Sequence, residues 1–164
     1  MTPAEISQAA QALFAAEKSH KQIGLLTRAH PEMTMDDAYA VQKALVALKI
    51  ADGRRVIGWK IGLTSKVMQD ALGISTPDSG VIYDDMLFES GSAVPAKRFI
   101  QPRIEAEIAF VMKAPLSGKV TREDVIAATD YVTSSIEILD TRIKRVDAAT
   151  GQTRKIFDTV SDNA

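Results

Sequence analysis

The sequence predicts an α+β protein in which a helical N-terminal lobe precedes a mixed β-sheet region. Two amphipathic helical patterns fill the first 53 residues, and the apolar spacing then changes from the helical period to alternation. From residue 76 onward, extended segments are bracketed by turn-forming residues. A run of helices that is followed by a run of strands is typical of the α+β class. We expect a helical and mixed lobe over 1–75 and a β-rich region over 76–164.

The two N-terminal helices have clear start signals. Thr2, Pro3 and Glu5 form the pattern of a capped helix, with Pro at the first helical position. The second helix is predicted to begin at Thr34 and to end near Gly53. Both place apolar residues at helical spacing, so each helix should bury one stripe.

The remainder of the chain predicts four strands and two short helices. The strands are predicted over 55–63, 81–88, 104–112 and 132–139, and the helices over 65–73 and 121–129. The last residues, 158–164, show neither a capping helix nor a closing strand. The strands between residues 80 and 139 also lack partners that would cover their edges. We therefore expect a chain that is truncated at its C-terminus, or one that needs another segment to complete its sheet.

Charge and composition exclude several classes of function. The 20 basic and 21 acidic residues are nearly balanced, which argues against the one-sided basic surface of a nucleic-acid or membrane-surface binder. The absence of cysteine excludes disulfides, thiolate metal sites and a cysteine nucleophile. No long apolar run and no signal-peptide pattern is present, so a cytoplasmic protein is expected.

Three glutamates are candidates for a metal site. Glu105 and Glu107 lie two residues apart on a predicted strand, so both point to one face. Neighbouring carboxylates repel each other unless a cation lies between them, although a solvated strand face is the simpler alternative. Glu137 is the third candidate, because it interrupts a segment otherwise suited to burial. Carboxylates without His or Cys favour Mg²⁺ or Mn²⁺ over zinc. The alternate strand positions are apolar and should pack on the opposite face: Ile104, Ala106, Ile108 and Phe110.

Lys60 and Asp78 are candidates for acid–base work. Alternation places Lys60 on the same strand face as Gly58 and Gly62, which leaves space for a ligand to approach closely. A lysine that protects a sheet edge is the alternative. Asp78 lies between Pro77 and a Ser-Gly pair, where a structural turn residue is the simpler interpretation.

Six segments of the chain together resemble one protein family. They match in order over nearly the whole sequence and lie at residues 58–65, 77–78, 84–86, 102–110, 128–132 and 157–163. The chain resembles the 2-oxo-alkenoate hydratase and decarboxylase branch of the fumarylacetoacetate hydrolase superfamily. Within that branch, segments 84–86 and 157–163 are more similar to the hydratases than to the decarboxylases.

The resemblance implies a fold and a set of site residues. The β-rich region would be the N-terminal part of an incomplete fumarylacetoacetate hydrolase-type mixed β-roll. A Mg²⁺ or Mn²⁺ would be held by Glu105, Glu107 and Glu137. Lys60 and Asp78 match positions assigned to acid–base work in the family.

The resemblance also implies a reaction. It is the metal-dependent addition of water to a 2-hydroxydienoate or its 2-oxo tautomer, giving a 4-hydroxy-2-oxo acid. The implied substrate is of the 2-oxohept-4-ene-1,7-dioate type, from the homoprotocatechuate branch of aromatic catabolism. A 4-oxalocrotonate-type decarboxylase and a truncated, non-catalytic subunit are the alternatives. A homo-oligomer that binds a small 2-oxo acid, and neither nucleic acid nor membrane, is expected.

Overall fold

The computed structural model describes all 164 residues, Met1–Ala164. The α-helices are α1 (Pro3–Ser19), α2 (Leu26–Ala29), α3 (Met35–Ala51), α4 (Lys66–Leu72), α5 (Arg122–Ala128) and α6 (Ile156–Ser161). The strands are β1 (Val56–Gly62), β2 (Asp78–Tyr83), β3 (Arg103–Met112) and β4 (Thr129–Leu139). This mixture of helices and small sheets confirms the α+β class. No helix combines the length and the apolar character that crossing a membrane requires.

The chain divides into two compact units. The first unit comprises Met1–Ile100 together with Thr141–Ala164, and the second comprises Gln101–Asp140. The division predicted from the sequence, 1–75 and 76–164, does not coincide with these units and stays a prediction.

The first unit is built on the two long helices. Helix α1 begins with the capping box that the sequence predicts, Thr2 with Glu5. Helix α3 begins after Thr34, as predicted, and the structure adds a capping box between Thr34 and Asp37. Their apolar stripes meet in a core that α6 completes. Its fully or almost fully buried members include Ala10, Leu13, Val41, Leu45, Ile143 and Val160.

The prediction that the chain lacks a helix near its end is wrong, because α6 occupies Ile156–Ser161. This helix depends on contacts from distant parts of the chain. Asp158 is fully buried and accepts hydrogen bonds from the backbone N–H and the hydroxyl of Thr27, at 3.0 and 2.7 Å. The side-chain amide of Gln42 on α3 donates to the carbonyl oxygen of Val160 at 2.9 Å. Such partners leave no periodic signal in a six-residue segment.

Strands β1 and β2 form an antiparallel ribbon in the first unit. Lys60 pairs with Gly80 and Gly62 pairs with Asp78. β2 begins three residues before the strand predicted over 81–88 and ends at Tyr83, where a 3₁₀ turn follows.

The second unit contains the antiparallel ribbon of β3 and β4 and the short helix α5. Its strands run close to the predicted bounds. The expectation that the apolar face of β3 is packed is wrong for this chain, because Ile104 is 73% exposed, Ile108 is 68% exposed and Phe110 is 59% exposed. No helix or second sheet of the unit covers that face. The alternation of residues therefore shows correctly which face is apolar, but it cannot show whether another element packs on that face.

Candidate active site

The three candidate glutamates converge on one face of the β3–β4 ribbon. Glu105 pairs directly across the strands with Glu137, and Glu107 lies two residues further along β3. Directly paired residues and residues two apart share a face, so all three carboxylates point the same way. One oxygen of each lies within 4.8 Å of the others. Strand pairing therefore assembles a three-carboxylate cluster from two separate segments.

The environment of the cluster differs from the one inferred from the sequence. Glu105 and Glu107 are exposed and Glu137 is only half-buried, so a buried lone carboxylate at 137 does not occur in this chain. The argument for a bound cation therefore rests on the repulsion between like charges. Carboxylates placed directly opposite on paired strands destabilise the ribbon, and a cation between them would remove that repulsion.

Lys60 and Asp78 form an ion pair in the first unit. The Nζ of Lys60 lies 3.6 Å from Oδ1 of Asp78, and the Asp78 side chain is only 4% exposed. Asp78 is the first residue of β2 rather than a turn residue. Its Oδ1 is buried and accepts no hydrogen bond, so it is an acceptor without a hydrogen-bond donor beside a lysine ammonium.

Two glycines make the close approach of this pair possible. A Cβ at Gly62 would lie 2.3 Å from Oδ1 of Asp78 and 3.1 Å from Nζ of Lys60. A Cβ at Gly80 would lie 3.0 Å from Cε of Lys60. By contrast, a Cβ at Gly58 would have no neighbour within 4 Å. The space beside Gly62 is therefore filled by Oδ1 of Asp78 and Nζ of Lys60.

Asn163 is a residue of this site that the sequence did not single out. Its Nδ2 donates a hydrogen bond to Oδ2 of Asp78 at 2.7 Å. The two residues are 85 positions apart, so no local spacing could associate them. The only available signal was that Asn163 ends a segment of the family resemblance.

A buried charged network lies beside the segment that carries Asn163. The side chain of Lys49 is fully buried and contacts Oε2 of Glu17 at 2.7 Å. It also donates to the main-chain oxygen of Ala164. Arg142 is 3.6 Å from Oε2 of Glu17, and it pairs at 2.5 Å with Oδ1 of Asp162. Residues 162 and 164, on both sides of Asn163, are thus held by buried cations.

Burial and charge shift the pKa values of this network in opposite directions. Burial alone would raise the pKa of Glu17, but the nearby charges of Lys49 and Arg142, with hydrogen bonds from Lys49 and Arg54, lower that pKa to about 2. Burial, reinforced by the positive charge of Arg142, lowers the pKa of Lys49 to about 8 against the opposing effect of Glu17. Both groups are therefore charged at neutral pH and form a buried ion pair.

Comparison with known proteins identifies relatives along nearly the whole chain. No protein-family model matches the sequence. The 2-oxo-hept-4-ene-1,7-dioate hydratase of Escherichia coli is 53% identical over 156 residues, which cover 94% of this chain and 58% of that protein. The 2-hydroxyhexa-2,4-dienoate hydratase of Comamonas testosteroni is 48% identical, over 94% of this chain and 57% of that protein. The chain thus spans somewhat more than half the length of these relatives.

A third hydratase and one solved structure are also similar to this chain. The 2-hydroxypent-2,4-dienoate hydratase of Pseudomonas putida is 40% identical, and the match covers 97% of this chain and 70% of that protein. The 4-oxalocrotonate decarboxylase from Pseudomonas putida G7, in a structure complexed with magnesium and adipate, superposes with a TM-score of 0.88 and 36% identity. That superposition covers 99% of this chain and 60% of the decarboxylase chain.

The identities, the coverage and the shared fold agree with the order of motifs along the sequence. The chain belongs to the 2-oxo-alkenoate hydratase and decarboxylase branch of the fumarylacetoacetate hydrolase superfamily.

Proposed function

We propose that this chain belongs to a Mg²⁺- or Mn²⁺-dependent hydratase. The enzyme adds water to a 2-hydroxydienoate, or to its 2-oxo tautomer, and yields a 4-hydroxy-2-oxo acid. The observation that carries the proposal is the convergence of Glu105, Glu107 and Glu137 on one ribbon face, in a chain whose relatives include several hydratases of this kind.

The donor set fits a hard divalent cation. Three carboxylate oxygens within 4.8 Å of one another, with no His or Cys among them, are the ligand type that Mg²⁺ and Mn²⁺ prefer. Glu105, Glu107 and Glu137 would hold the ion, and its charge would offset their mutual repulsion. The bound cation would act as a Lewis acid on the 2-oxygen of the substrate.

The proton transfers of the hydration fall to Lys60 and Asp78. Shifting the double bond and adding water at C4 requires one group that accepts a proton and one that returns it. Oδ1 of Asp78 is buried and accepts no hydrogen bond, so no hydrogen-bond donor competes with a proton for that oxygen. The ammonium of Lys60, 3.6 Å from that oxygen, would supply a proton or stabilise negative charge that develops on the substrate.

The proposed substrate is of the 2-oxohept-4-ene-1,7-dioate type. The support is the identity of 53% with the E. coli 2-oxo-hept-4-ene-1,7-dioate hydratase. We accordingly place the reaction in the homoprotocatechuate branch of aromatic catabolism and the enzyme in the cytoplasm. The exposed apolar side chains of β3 and β4 support assembly into a homo-oligomer.

A 4-oxalocrotonate-type decarboxylase is the second candidate. It is favoured by the superposition on the magnesium-bound 4-oxalocrotonate decarboxylase with a TM-score of 0.88. The same carboxylate cluster could serve either reaction, because both require stabilisation of an enolate next to a carboxylate.

One assay separates the two candidates. The full-length protein with Mg²⁺ is offered a 2-hydroxydienoate and 4-oxalocrotonate in parallel, while the diene absorbance and released CO₂ are followed. We expect loss of the diene, a product heavier by one water, no CO₂ and complete inhibition by a chelator. Release of CO₂ from 4-oxalocrotonate without hydration of the dienoate would replace the hydratase by the decarboxylase.

A further inference from the structure

We propose that Asn163 is a positioning residue that orients the Asp78 carboxylate toward Lys60. The inference rests on the proposed function in one respect, the reaction in which Asp78 takes part. The geometry itself is independent of the reaction. Nδ2 of Asn163 donates to Oδ2 of Asp78 at 2.7 Å, while the other carboxylate oxygen, Oδ1, lies 3.6 Å from Nζ of Lys60. One oxygen of Asp78 is thus tied by an amide donor, and the other is left for proton transfer.

The backbone of Asn163 is held against β2 as closely as its side chain. The backbone N–H of Val81 donates to the carbonyl oxygen of Asn163 at 3.1 Å. A Cβ at Gly80 would come within 2.3 Å of that same oxygen and within 3.0 Å of the Asn163 Cβ. Glycine at position 80 is therefore required for Asn163 to reach the strand, a close approach that a side chain would prevent.

Gln42 joins the two segments that meet in this contact. Its side-chain amide is 7% exposed and donates to the carbonyl oxygen of Ser79 at 2.8 Å and to that of Val160 at 2.9 Å. Ser79 follows Asp78 on β2, and Val160 lies one helical turn before Asn163. The α3 helix thereby fixes the distance between the two partners.

Buried charged contacts hold the residues on either side of Asn163. Asp162 accepts hydrogen bonds from the backbone N–H of Arg142 at 2.9 Å and from the hydroxyl of Thr141 at 2.8 Å. Lys49 donates to the main-chain oxygen of Ala164. With both neighbours fixed, the Asn163 side chain has little freedom, and it presents a donor to Asp78 before any substrate arrives. Hydrogen-bond partners that orient metal ligands are worth about 10-fold to 100-fold in activity. We expect an effect of similar size from a partner that orients Asp78.

The test uses three variants of the full-length protein with Mg²⁺: Asn163→Ala, Asn163→Asp and the exchange Asp78→Asn with Asn163→Asp. In Asn163→Ala we expect kcat for hydration to fall about 10-fold to 100-fold with KM and metal affinity nearly unchanged. Asn163→Asp should be at least as impaired, because a carboxylate replaces the donor and faces Asp78. Thr159→Ala, an alteration on α6, which ends two residues before Asn163, serves as the control and should retain wild-type kcat.

Thermal unfolding separates positioning from simple stabilisation. The exchange variant restores a donor–acceptor pair between positions 78 and 163, so its Tm should recover by about 2–4 °C relative to Asn163→Asp. Its kcat should stay low, because position 78 no longer carries an acid. A wild-type kcat in Asn163→Ala, or the same Tm in the exchange variant as in Asn163→Asp, would overturn the proposal.

A third readout does not require turnover. If the wild-type protein fails to hydrate the dienoate, the proposed function is wrong, and a crystal structure of Asn163→Ala then decides the positioning role. A carboxylate rotated away from Lys60 supports it. An Asp78 carboxylate in its original orientation, with the 3.6 Å separation from Nζ of Lys60 unchanged, overturns it.

Discussion

The Lys60–Asp78 pair and the glutamate cluster are held in place by different forces. Asp78 is 4% exposed, hydrogen-bonded to Asn163 and flanked by a glycine with no room for a side chain. Glu105 and Glu107 are exposed on a two-stranded ribbon, and the cluster gathers like charges. Protein contacts therefore fix the geometry of the pair. Strand pairing brings the like charges of the cluster together, so the stability of the cluster should depend on a bound cation.

The loss of one cluster carboxylate should have the largest effect. Glu107→Gln keeps the size of the side chain but removes one negative ligand, so Mg²⁺-dependent turnover should be abolished, a fall of at least about 10⁴-fold. Hydration of a 2-hydroxydienoate by the full-length protein, followed by diene absorbance, measures it. Glu123→Gln, an exposed glutamate on α5 outside the cluster, is the control. Equal turnover in the Glu107 variant and the wild type would remove the metal assignment.

Lys60→Ala should produce a loss of a different kind. Removing the ammonium leaves Asp78 without its cationic partner, and kcat should fall about 10²-fold to 10⁴-fold. Affinity for Mn²⁺ should not change, because Lys60 is not one of the three carboxylates of the cluster. Lys66→Ala, at an exposed lysine of α4 that pairs with Asp70, should behave as wild type. A parallel loss of metal affinity in Lys60→Ala would show that the two groups are not independent.

Two glycines of β1 test how tightly the pair is packed. Gly62→Ala should lower kcat by about 10-fold or more, since its Cβ would lie 2.3 Å from Oδ1 of Asp78 and displace the carboxylate. It should also lower the free energy of unfolding by about 1–3 kcal/mol. Gly58→Ala on the same strand has no atom within 4 Å of its new Cβ and should change neither quantity much. Similar kinetics for the two variants would contradict the packing argument.

The parts of the fold that the sequence predicts are those with long, local patterns. The apolar stripes of the 17-residue helices α1 and α3 and the alternation of β3 extend over many residues, so the bounds of these elements follow closely from the sequence. The four-residue α2 and six-residue α6 have no such length, and short helices form only with tertiary support. The contact of Thr27 with Asp158, between these two helices, is that support.

The residues of the candidate site also divide into those that a local sequence pattern predicts and those that it does not. Alternation correctly places Glu105 and Glu107 on one face, but the pairing of Glu105 with Glu137 is a matter of strand register and cannot be read from either strand alone. Glycine spacing indicates close packing around Lys60. It cannot reveal Asn163, because that contact joins residues far apart in sequence and has no period.

We expect a smaller, pH-dependent effect on stability from the charged network beside Asn163. The pKa of Glu17 is lowered from 4.5 to about 2, so its contribution to stability is present above pH 4.5 and is lost as the pH falls toward 2. This loss is at most about 3 kcal/mol. Denaturant unfolding between pH 2 and 5 measures it. Glu17→Gln should be less stable at neutral pH, since Lys49 and Arg142 lose their partner, and should lose less stability over the acidic range. An identical acid slope in both proteins would contradict the assignment.

Direct Mn²⁺ binding tests the central claim, that the cluster on the β3–β4 ribbon is a site for a hard divalent cation. Titration of the full-length wild type, followed by the paramagnetic resonance signal of free Mn²⁺, should show one ion per chain, displaced by Mg²⁺. Lys60→Ala should bind in the same way, and Glu107→Gln should lose affinity by at least about 10-fold. Equal Mn²⁺ affinity in Glu107→Gln and wild type, or no binding by the wild type, would contradict the account.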